Sequence, residues 1–491
     1  MSDNLNSRFY RVGKYWKHIL FFGLYFAILM ICKSPDITAK VYGNDSFSLL
    51  AMARLFVQRY PSPVYAILGY PFANWFPGSD GGNLVLYLSV IPAFLTSIVV
   101  FLTVKKMVKD ELAPWVASAV LMGCYIFFCQ AVIVEVFTIM AFFVSLSYLF
   151  IVYDKPKLAC FFLGLCISSH YLTGIIPFII FFVAYKEIRK NCYIAILTIL
   201  CICVPYYLLV PYSYWMPGDG SKLMSLFTST FICFVSGSPS NIGAGIVETI
   251  RVIVVGFGLS LIPIYFAVRK DWKRICPIFI LFIIPIVWKT INDYFLGFHD
   301  LPVFIPFGAI LAGVGVCYID SKIVRYSILV FSIGCLLFAP VFFNMGSSID
   351  TNPTTDRQMI TALDNVSNGS IIIDVKLFKN DGFYVSDELG GHIATIVDYH
   401  NAVYGSKLIP FDLETIFENV TSSEREKLVA AGVNIPNISD DFNYSTGNNS
   451  EEQIAYCNMI DSVSRSNPNS SVYYYICTNE RNEEYDLVVW K

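Results

Sequence analysis

Charge is what this sequence has least of. Only 14% of its 491 residues are Asp, Glu, Lys or Arg, where a soluble globular chain carries about a quarter. That shortage excludes a cytosolic enzyme and a disordered scaffold. No Gly-rich phosphate loop, Ser-His-Asp set or metalloprotease helix is visible, and no Cys/His spacing suits zinc. No small-residue cleavage site follows the first apolar run, which therefore reads as a retained signal anchor rather than a removable signal peptide.

What is present is hydrophobic: 56% of residues are apolar and the mean hydropathy is +0.59. The composition is that of a polytopic membrane protein. Runs able to cross about 30 Å of hydrocarbon lie at 17–32, 84–104, 113–129, 136–153, 192–211, 249–268, 275–291, 301–318 and 323–343. Two shorter runs, 157–169 and 171–186, flank His170. Read as a tight helical hairpin they bring the count to eleven spans; read as one helix broken at Ser168-Ser169-His170 they make it even. The distribution of basic residues favours eleven. With a cytoplasmic N-terminus, one side then receives eighteen Lys and Arg, among them Lys105, Lys106, Lys155, Arg189, Arg274 and Arg325. The other side receives seven before the tail, the asymmetry of the positive-inside rule.

The tail differs in kind. Residues 1–346 hold 25 basic and 15 acidic groups, residues 347–491 hold 9 and 22. An acidic tail excludes nucleic acid as its partner, and an odd span count places it outside the cytoplasm. Two units are expected: a transmembrane domain, 1–346, with long outer loops at 33–83 and 212–248, and an extracytoplasmic mixed α/β domain, 347–491. In the latter, strand-like runs occur at Ile371–Val375, Ile393–Val397, Val472–Cys477 and Leu487–Trp490, and helix-like stretches at Arg357–Asn365 and Ser423–Ala431. Asn365, Asn368, Asn419, Asn437, Asn443, Asn448 and Asn469 each begin an Asn-x-Ser/Thr acceptor. Of fourteen cysteines only Cys457 and Cys477 share the tail, either as a disulfide suited to an oxidising exterior or as two free thiols.

Long loops usually carry function. In the first, Phe47, Leu50, Ala51, Leu55 and Phe56 form one face of a helix lying in the interface plane, with Asp45, Arg54 and Gln58 on other faces. In the second, Leu223–Val235 is apolar enough to dip into the membrane. Ionisable residues near the membrane plane are costly and tend to be functional. On the outer side they are Asp45, Arg54, Arg59, Glu135, His170, Asp219, Arg251, Lys289, Asp293, His299 and Asp300. Several have structural alternatives. Asp45 is a ready helix N-cap within Asn44-Asp45-Ser46, Glu135 a helix-end carboxylate facing headgroup water, and His170 a polar group satisfied at a turn. Arg251 and Lys289 are long enough to snorkel.

Four segments together resemble the GT-C superfamily of membrane glycosyltransferases. They are Gly43-Asn44-Asp45-Ser46 leading to Tyr60-Pro61-Ser62-Pro63-Val64-Tyr65, then Val134-Glu135-Val136-Phe137, then Gly164-Leu165 through His170, and Pro211-Tyr212-Ser213 running to Gly218-Asp219-Gly220. The nearest likeness is to the protein O-mannosyltransferase-like branch, known mainly as a family of unknown function. The resemblance spans roughly residues 40–240. It implies an inverting transfer from a polyprenyl- or dolichyl-phosphate sugar to a hydroxyl acceptor at the outer face. It implies Asp45, the acidic residue of the first outer loop, as the catalytic group and Glu135 as its companion; the transfer chemistry then makes Asp45 the base and gives Glu135 the orienting of the acceptor or of a divalent ion, Mg2+ or Mn2+. His170, Arg251, Lys289, Arg54 and Asp219 are the candidates for binding substrate or phosphate. A multi-pass protein of the cell membrane, or of the ER membrane in a eukaryote, is expected. The rival class is a transporter or flippase of a lipid-linked or small polar substrate. Such proteins often show paired halves with interrupted helices, and no repeat is visible here.

Overall fold

A computed structural model describes residues 2–32, 49–50, 52–58, 62–75, 84–210, 253–291, 301–344, 362–380 and 382–385. In the rest of the tail it describes mainly 404–411, 428–436, 459–479 and 484–490. The membrane part is helical: α1 (Ser2–Cys32), α2 (Pro63–Asn74), α3 (Tyr87–Met107), α4 (Ala113–Gly123), α5 (Tyr125–Ala131), α6 (Phe137–Val152), α7 (Pro156–Ser169), α8 (Tyr171–Ala184), α9 (Lys186–Leu209), α10 (Leu261–Ile291), α11 (Ile305–Val316) and α12 (Lys322–Asn344). Among the described residues four helices are long and apolar enough to cross a bilayer. A fifth is α4 with α5, bent by 66° at Cys124, and five shorter apolar helices accompany them. The stretch Ile253–Val287 is interrupted at Asp271, whose φ of −130° and ψ of 29° break the helix. It therefore holds both spans expected at 249–268 and 275–291, and eleven apolar segments result.

Burial sorts these helices into layers. Every residue of α11 is buried, as befits a helix that is apolar all round, and two thirds of the apolar window of α3 is buried against 17% of that of α9. α11 and α3 are therefore inner helices, and α9 turns most of its surface to lipid. The basic residues gather at one end. There Arg274 donates to the Met107 carbonyl and Arg325 pairs with Asp110. The other oxygen of Asp110 accepts from the Leu112 and Ala113 amides at 2.8 and 3.0 Å, closing the start of α4.

α7 and α8 are a hairpin, not a broken rod. His170 at their junction lies with its ring 5.8 Å from that of Phe137, at the start of α6. Phe181, near the far end of α8, stacks 5.8 Å from Tyr148, near the end of α6. α8 therefore returns along the path of α7.

The tail carries a sheet of order β2-β1-β4-β5 with β3 pairing β1, where β1 is Ile371–Asn380, β2 Gly382–Val385, β3 Ile409–Phe411, β4 Val472–Asn479 and β5 Glu484–Val489. β1 is parallel to β3 and β4 and antiparallel to β2. Period-two alternation gives the sheet two buried faces. Ile371, Ile373, Val472 and Tyr474 pack with Leu428, Met459, Ile460 and Val463. Ile372 and Tyr475 face the other way and join the continuous apolar core that includes the membrane helices. The strand expected at Ile393–Val397 does not form where it is described: Ile396 and Val397 are helical and buried. A short apolar run fits either structure, and here burial against the sheet decides. The division expected at 346/347 falls outside the described residues.

Candidate functional site

The end of the bundle opposite the basic cluster is built by the first outer loop and the starts of α3, α6 and α8. The loop is a clip of two helices. Residues 49–50 and 52–55 are helical, Phe56 turns the chain with a positive φ of 52°, and α2 follows. The ends of the two helices cap one another: Arg54 donates to the Ala73 carbonyl, while the Asn74 amide donates to the carbonyls of Ala53 and Arg54 at 3.4 and 3.2 Å. Helix C-termini leave carbonyls without intrahelical partners, and this exchange satisfies both ends at once.

The clip is fastened to α9. Gln58, placed by sequence on an open face of the interfacial helix, is buried. Its amide donates to the carbonyls of Tyr206, Tyr207 and Val210, and the Tyr206 hydroxyl donates back to the Val57 carbonyl at 3.1 Å. Phe56 adds its ring, 5.3 Å from Tyr70 and 6.3 Å from Tyr206.

Glu135 is 5% exposed, immediately before α6. Its backbone is pinned by Ser89 at the start of α3: the Ser89 hydroxyl donates to the Glu135 carbonyl at 3.1 Å and lies 3.2 Å from the Glu135 amide. Its carboxylate accepts from the Val136 amide at 3.4 Å, at the helix end where negative charge is favoured. Tyr65, in the first turn of α2, is fully buried. Burial, with the Glu135 charge adding to it, pushes the Tyr65 hydroxyl well above the usual phenol range, so it stays protonated and able to donate.

His170 ends α7 and begins α8 as a single extended residue, φ −158° and ψ 109°. Its Nδ1 lies 2.9 Å from the Thr173 hydroxyl. Two glycines let the surrounding helices close on it. A Cβ on Gly164 would lie 2.7 Å from Thr198 Cβ in α9, and one on Gly174 would lie 2.7 Å from Ile167 Cα in α7. The Gly164-Leu165 through His170 segment is thus a packing motif that delivers a histidine to the end of the bundle.

Glu135 and His170 are therefore brought to one end, two residues and one ring contact apart through Phe137. Arg54 lies at the same end, in the clip. Asp45, Asp219, Arg251, Cys457 and the segment Leu223–Val235 lie outside the described residues, as do the side chains of Lys289 and Cys477. Among the described residues no three His, Cys, Asp or Glu side chains gather to hold a metal. Asp45, the residue expected to share an ion with Glu135, lies outside the described residues.

Ser62 and Tyr65 fall within the Tyr60 to Tyr65 motif but were not read as site residues, and Thr138 was not singled out by sequence. Tyrosine, serine and threonine are unremarkable in apolar segments, and only burial reveals them. A Ser-His-Asp grouping also escaped the sequence: in the tail, His400 Nδ1 lies 2.7 Å from Ser406 Oγ, and Nε2 lies 3.1 Å from Asp364. It is a structural tie. Asn401 is fixed by both polar groups of Leu408, so its oxygen takes the Ser406 proton at 2.7 Å, and the hydroxyl is not activated by the imidazole.

No protein-family model matches this chain, and no curated protein matches its sequence. Solved structures do. The crystal structure of ArnT from Cupriavidus metallidurans bound to undecaprenyl phosphate superposes with a TM-score of 0.59 at 12% identity, over 85% of this chain and 95% of that one. The apo state of the same protein gives 0.57 at 12% identity, over 82% and 90%. The likeness extends well beyond the 40–240 stretch of motifs, and over that length the two proteins share a fold.

Proposed function

We propose that this integral membrane protein transfers a sugar from a polyprenyl-phosphate carrier to a hydroxyl acceptor at the end of the bundle holding Glu135 and His170. The observation that carries the reading is the likeness, over most of both chains, to a protein whose structure holds undecaprenyl phosphate. The O-mannosyltransferase-like branch remains the finer assignment suggested by the motifs.

The chemistry asks for few parts. An acceptor oxygen attacks the anomeric carbon, its proton passes to a carboxylate, and the bond between that carbon and the carrier phosphate breaks with inversion. One general base suffices. Phosphate is a weak base and leaves without a general acid, unlike the sugar alcohol released in glycoside hydrolysis; it needs positive charge beside it instead. Asp45 is assigned as the base and Glu135 as the group orienting the acceptor. His170, Arg251, Lys289, Arg54 and Asp219 are assigned to the sugar phosphate and its surroundings. A carrier lipid keeps its tail in the bilayer and presents its phosphate at the headgroup plane, the depth at which an end-of-bundle site operates. The eleven-span count assigns this face to the outside of the cytoplasm, and the 347–491 domain, on the same side, is assigned to holding the acceptor.

The test is incubation of the purified full chain with a panel of polyprenyl-phosphate sugars. Release of free carrier phosphate is expected with at least one. Absence of release with every sugar, in protein that remains folded, overturns the assignment.

A further inference from the structure

A polar group on the lipid-facing side of a membrane helix is costly unless something other than hydrocarbon meets it. α12 carries three such groups on one face. The Lys322 ammonium and the Tyr326 and Ser327 hydroxyls are exposed and have no hydrogen bond or ion pair among the described residues. Two other polar side chains of the same helix are engaged: Arg325 pairs with Asp110, and Ser332 donates to the Ile328 carbonyl at 2.9 Å. Lys322, Tyr326 and Ser327 line one shallow open groove of about 570 Å³ together with Ile323, Val330 and Phe331. The lining consists of two rows at a spacing of four, 322-326-330 and 323-327-331, so the groove runs lengthwise along the helix. Its deep end is fixed, because the Phe331 ring lies so close to Gly258, whose φ is +46°, that a Cβ there would stand 2.8 Å from it.

Polarity along the groove follows membrane depth. At the helical rise, Tyr326 and Ser327 lie roughly 6 and 7.5 Å along the axis from Lys322, and Val330 and Phe331 roughly 12 and 13.5 Å. A headgroup layer is about 5–7 Å thick on each side of the hydrocarbon, so the polar half of the groove spans that layer and the apolar half enters the acyl chains. This is the end of the bundle where the basic residues gather. Arg325, the basic residue one turn from Lys322, is already held by Asp110, which leaves the Lys322 charge to a group from outside the chain. The fitting molecule brings an anionic oxygen to Lys322, accepts from two hydroxyls a turn deeper, and continues as hydrocarbon. A soluble acidic peptide would reach Lys322 and leave Val330 and Phe331, two turns deeper, uncovered. Phosphatidylcholine carries its own cation beside its phosphate and gains less from a lysine.

We infer that this face of α12 binds an anionic phospholipid, with the phosphate on Lys322, the glycerol ester oxygens on the Tyr326 and Ser327 hydroxyls, and an acyl chain along Val330 and Phe331. A basic recess at the end of a membrane helix is a recurrent kind of anionic headgroup site. The site lies at the opposite end of the bundle from Glu135 and His170, and it does not depend on the transferase reading.

The test places the full chain carrying V330W in nanodiscs of mixed phosphatidylcholine and phosphatidylglycerol, with brominated acyl chains on one lipid or the other at equal bromine content. Val330 is 67% exposed, so the substitution disturbs little packing, and the emission gained over the native protein reports the groove. Quenching is expected to show phosphatidylglycerol enriched there about fivefold over phosphatidylcholine, the worth of one lysine beside an anionic lipid. K322Q is expected to abolish the enrichment. K157Q, which removes an exposed lysine from the start of α7 at the same end of the bundle, is expected to leave it intact. Equal quenching by the two lipids overturns the site, as does enrichment that survives K322Q or is lost equally in K157Q, the mark of general surface charge. Native mass spectrometry of the native protein and K322Q released from the same nanodiscs gives a measurement without the added tryptophan. There K322Q is expected to retain fewer phosphatidylglycerol adducts, and equal numbers overturn the site.

Discussion

Replacing Gly174 by alanine should loosen the corner that presents His170. The new Cβ would stand 2.7 Å from Ile167 Cα and 2.8 Å from both Cys166 O and Ile167 N. All three are backbone, so no side-chain rotation relieves the clash. Ordinary contact begins near 3.4 Å, and α7 and α8 must therefore part by about 0.7 Å. Overpacking of this kind costs about 1–3 kcal/mol, against about 0.5–1 kcal/mol gained from alanine's better helix propensity. Gly334 in α12 is the control, since a Cβ there meets nothing within 4 Å and only the gain remains. Thermal unfolding of the two variants in nanodiscs should place G174A below the native protein and G334A at or above it, a separation worth about 2 kcal/mol. Because the displacement is carried to the histidine between the two helices, transfer by G174A should fall by about ten- to a hundredfold, while G334A transfers normally. Equal midpoints for the two variants would refute the close-packed hairpin.

E135Q should insert and fold as the native protein does while carrier-phosphate release drops by about a hundredfold, measured on matched amounts of purified protein; native-level release would remove Glu135 from the site. D45N should abolish release with membrane insertion unchanged, and full activity in that variant would remove Asp45 from the mechanism. Q58L leaves the carbonyls at the end of α9 without their donor, at a cost of about 1–3 kcal/mol; limited proteolysis should then cut the clip faster, and an unchanged digestion rate would show that the clip is held by other means. Alkylation of the folded protein under non-reducing conditions, followed by mass analysis of the tail, should find Cys457 and Cys477 protected as a pair, and modification of both would establish free thiols.

Hydropathy made the membrane spans legible because a bilayer imposes a single requirement on length and polarity, and most expected spans meet a helix. Its ambiguity lay at interruptions. The bend at Cys124 sits between residues as apolar as those on either side and depends on what packs against the backbone, whereas the break at Asp271 falls in the charged stretch already read as separating the spans at 249–268 and 275–291. The hairpin at His170 was legible as one of two readings, and ring contacts at its two ends decide between them. Among site residues, Glu135 stood out because a carboxylate is conspicuous in an apolar stretch. Tyr65 did not, because its distinction is a hydroxyl left without a partner, which is a property of its surroundings. Gln58 was read by helical periodicity as facing outward, whereas its position is set by carbonyls nearly 150 residues later in the chain.

That last distance bears on how the protein is made. The reciprocal cap between Arg54 and Asn74 closes within about twenty residues and is complete as soon as α2 leaves the ribosome. The carbonyls that Gln58 reaches belong to residues synthesised 148 to 152 positions afterwards, and at about 5–20 residues per second this is a wait of roughly 7 to 30 s. Until then the Gln58 amide lacks the acceptors that bury it in the finished protein. The clip is thus tied first within itself by contacts about twenty residues apart and then to α9 by contacts nearly 150 apart.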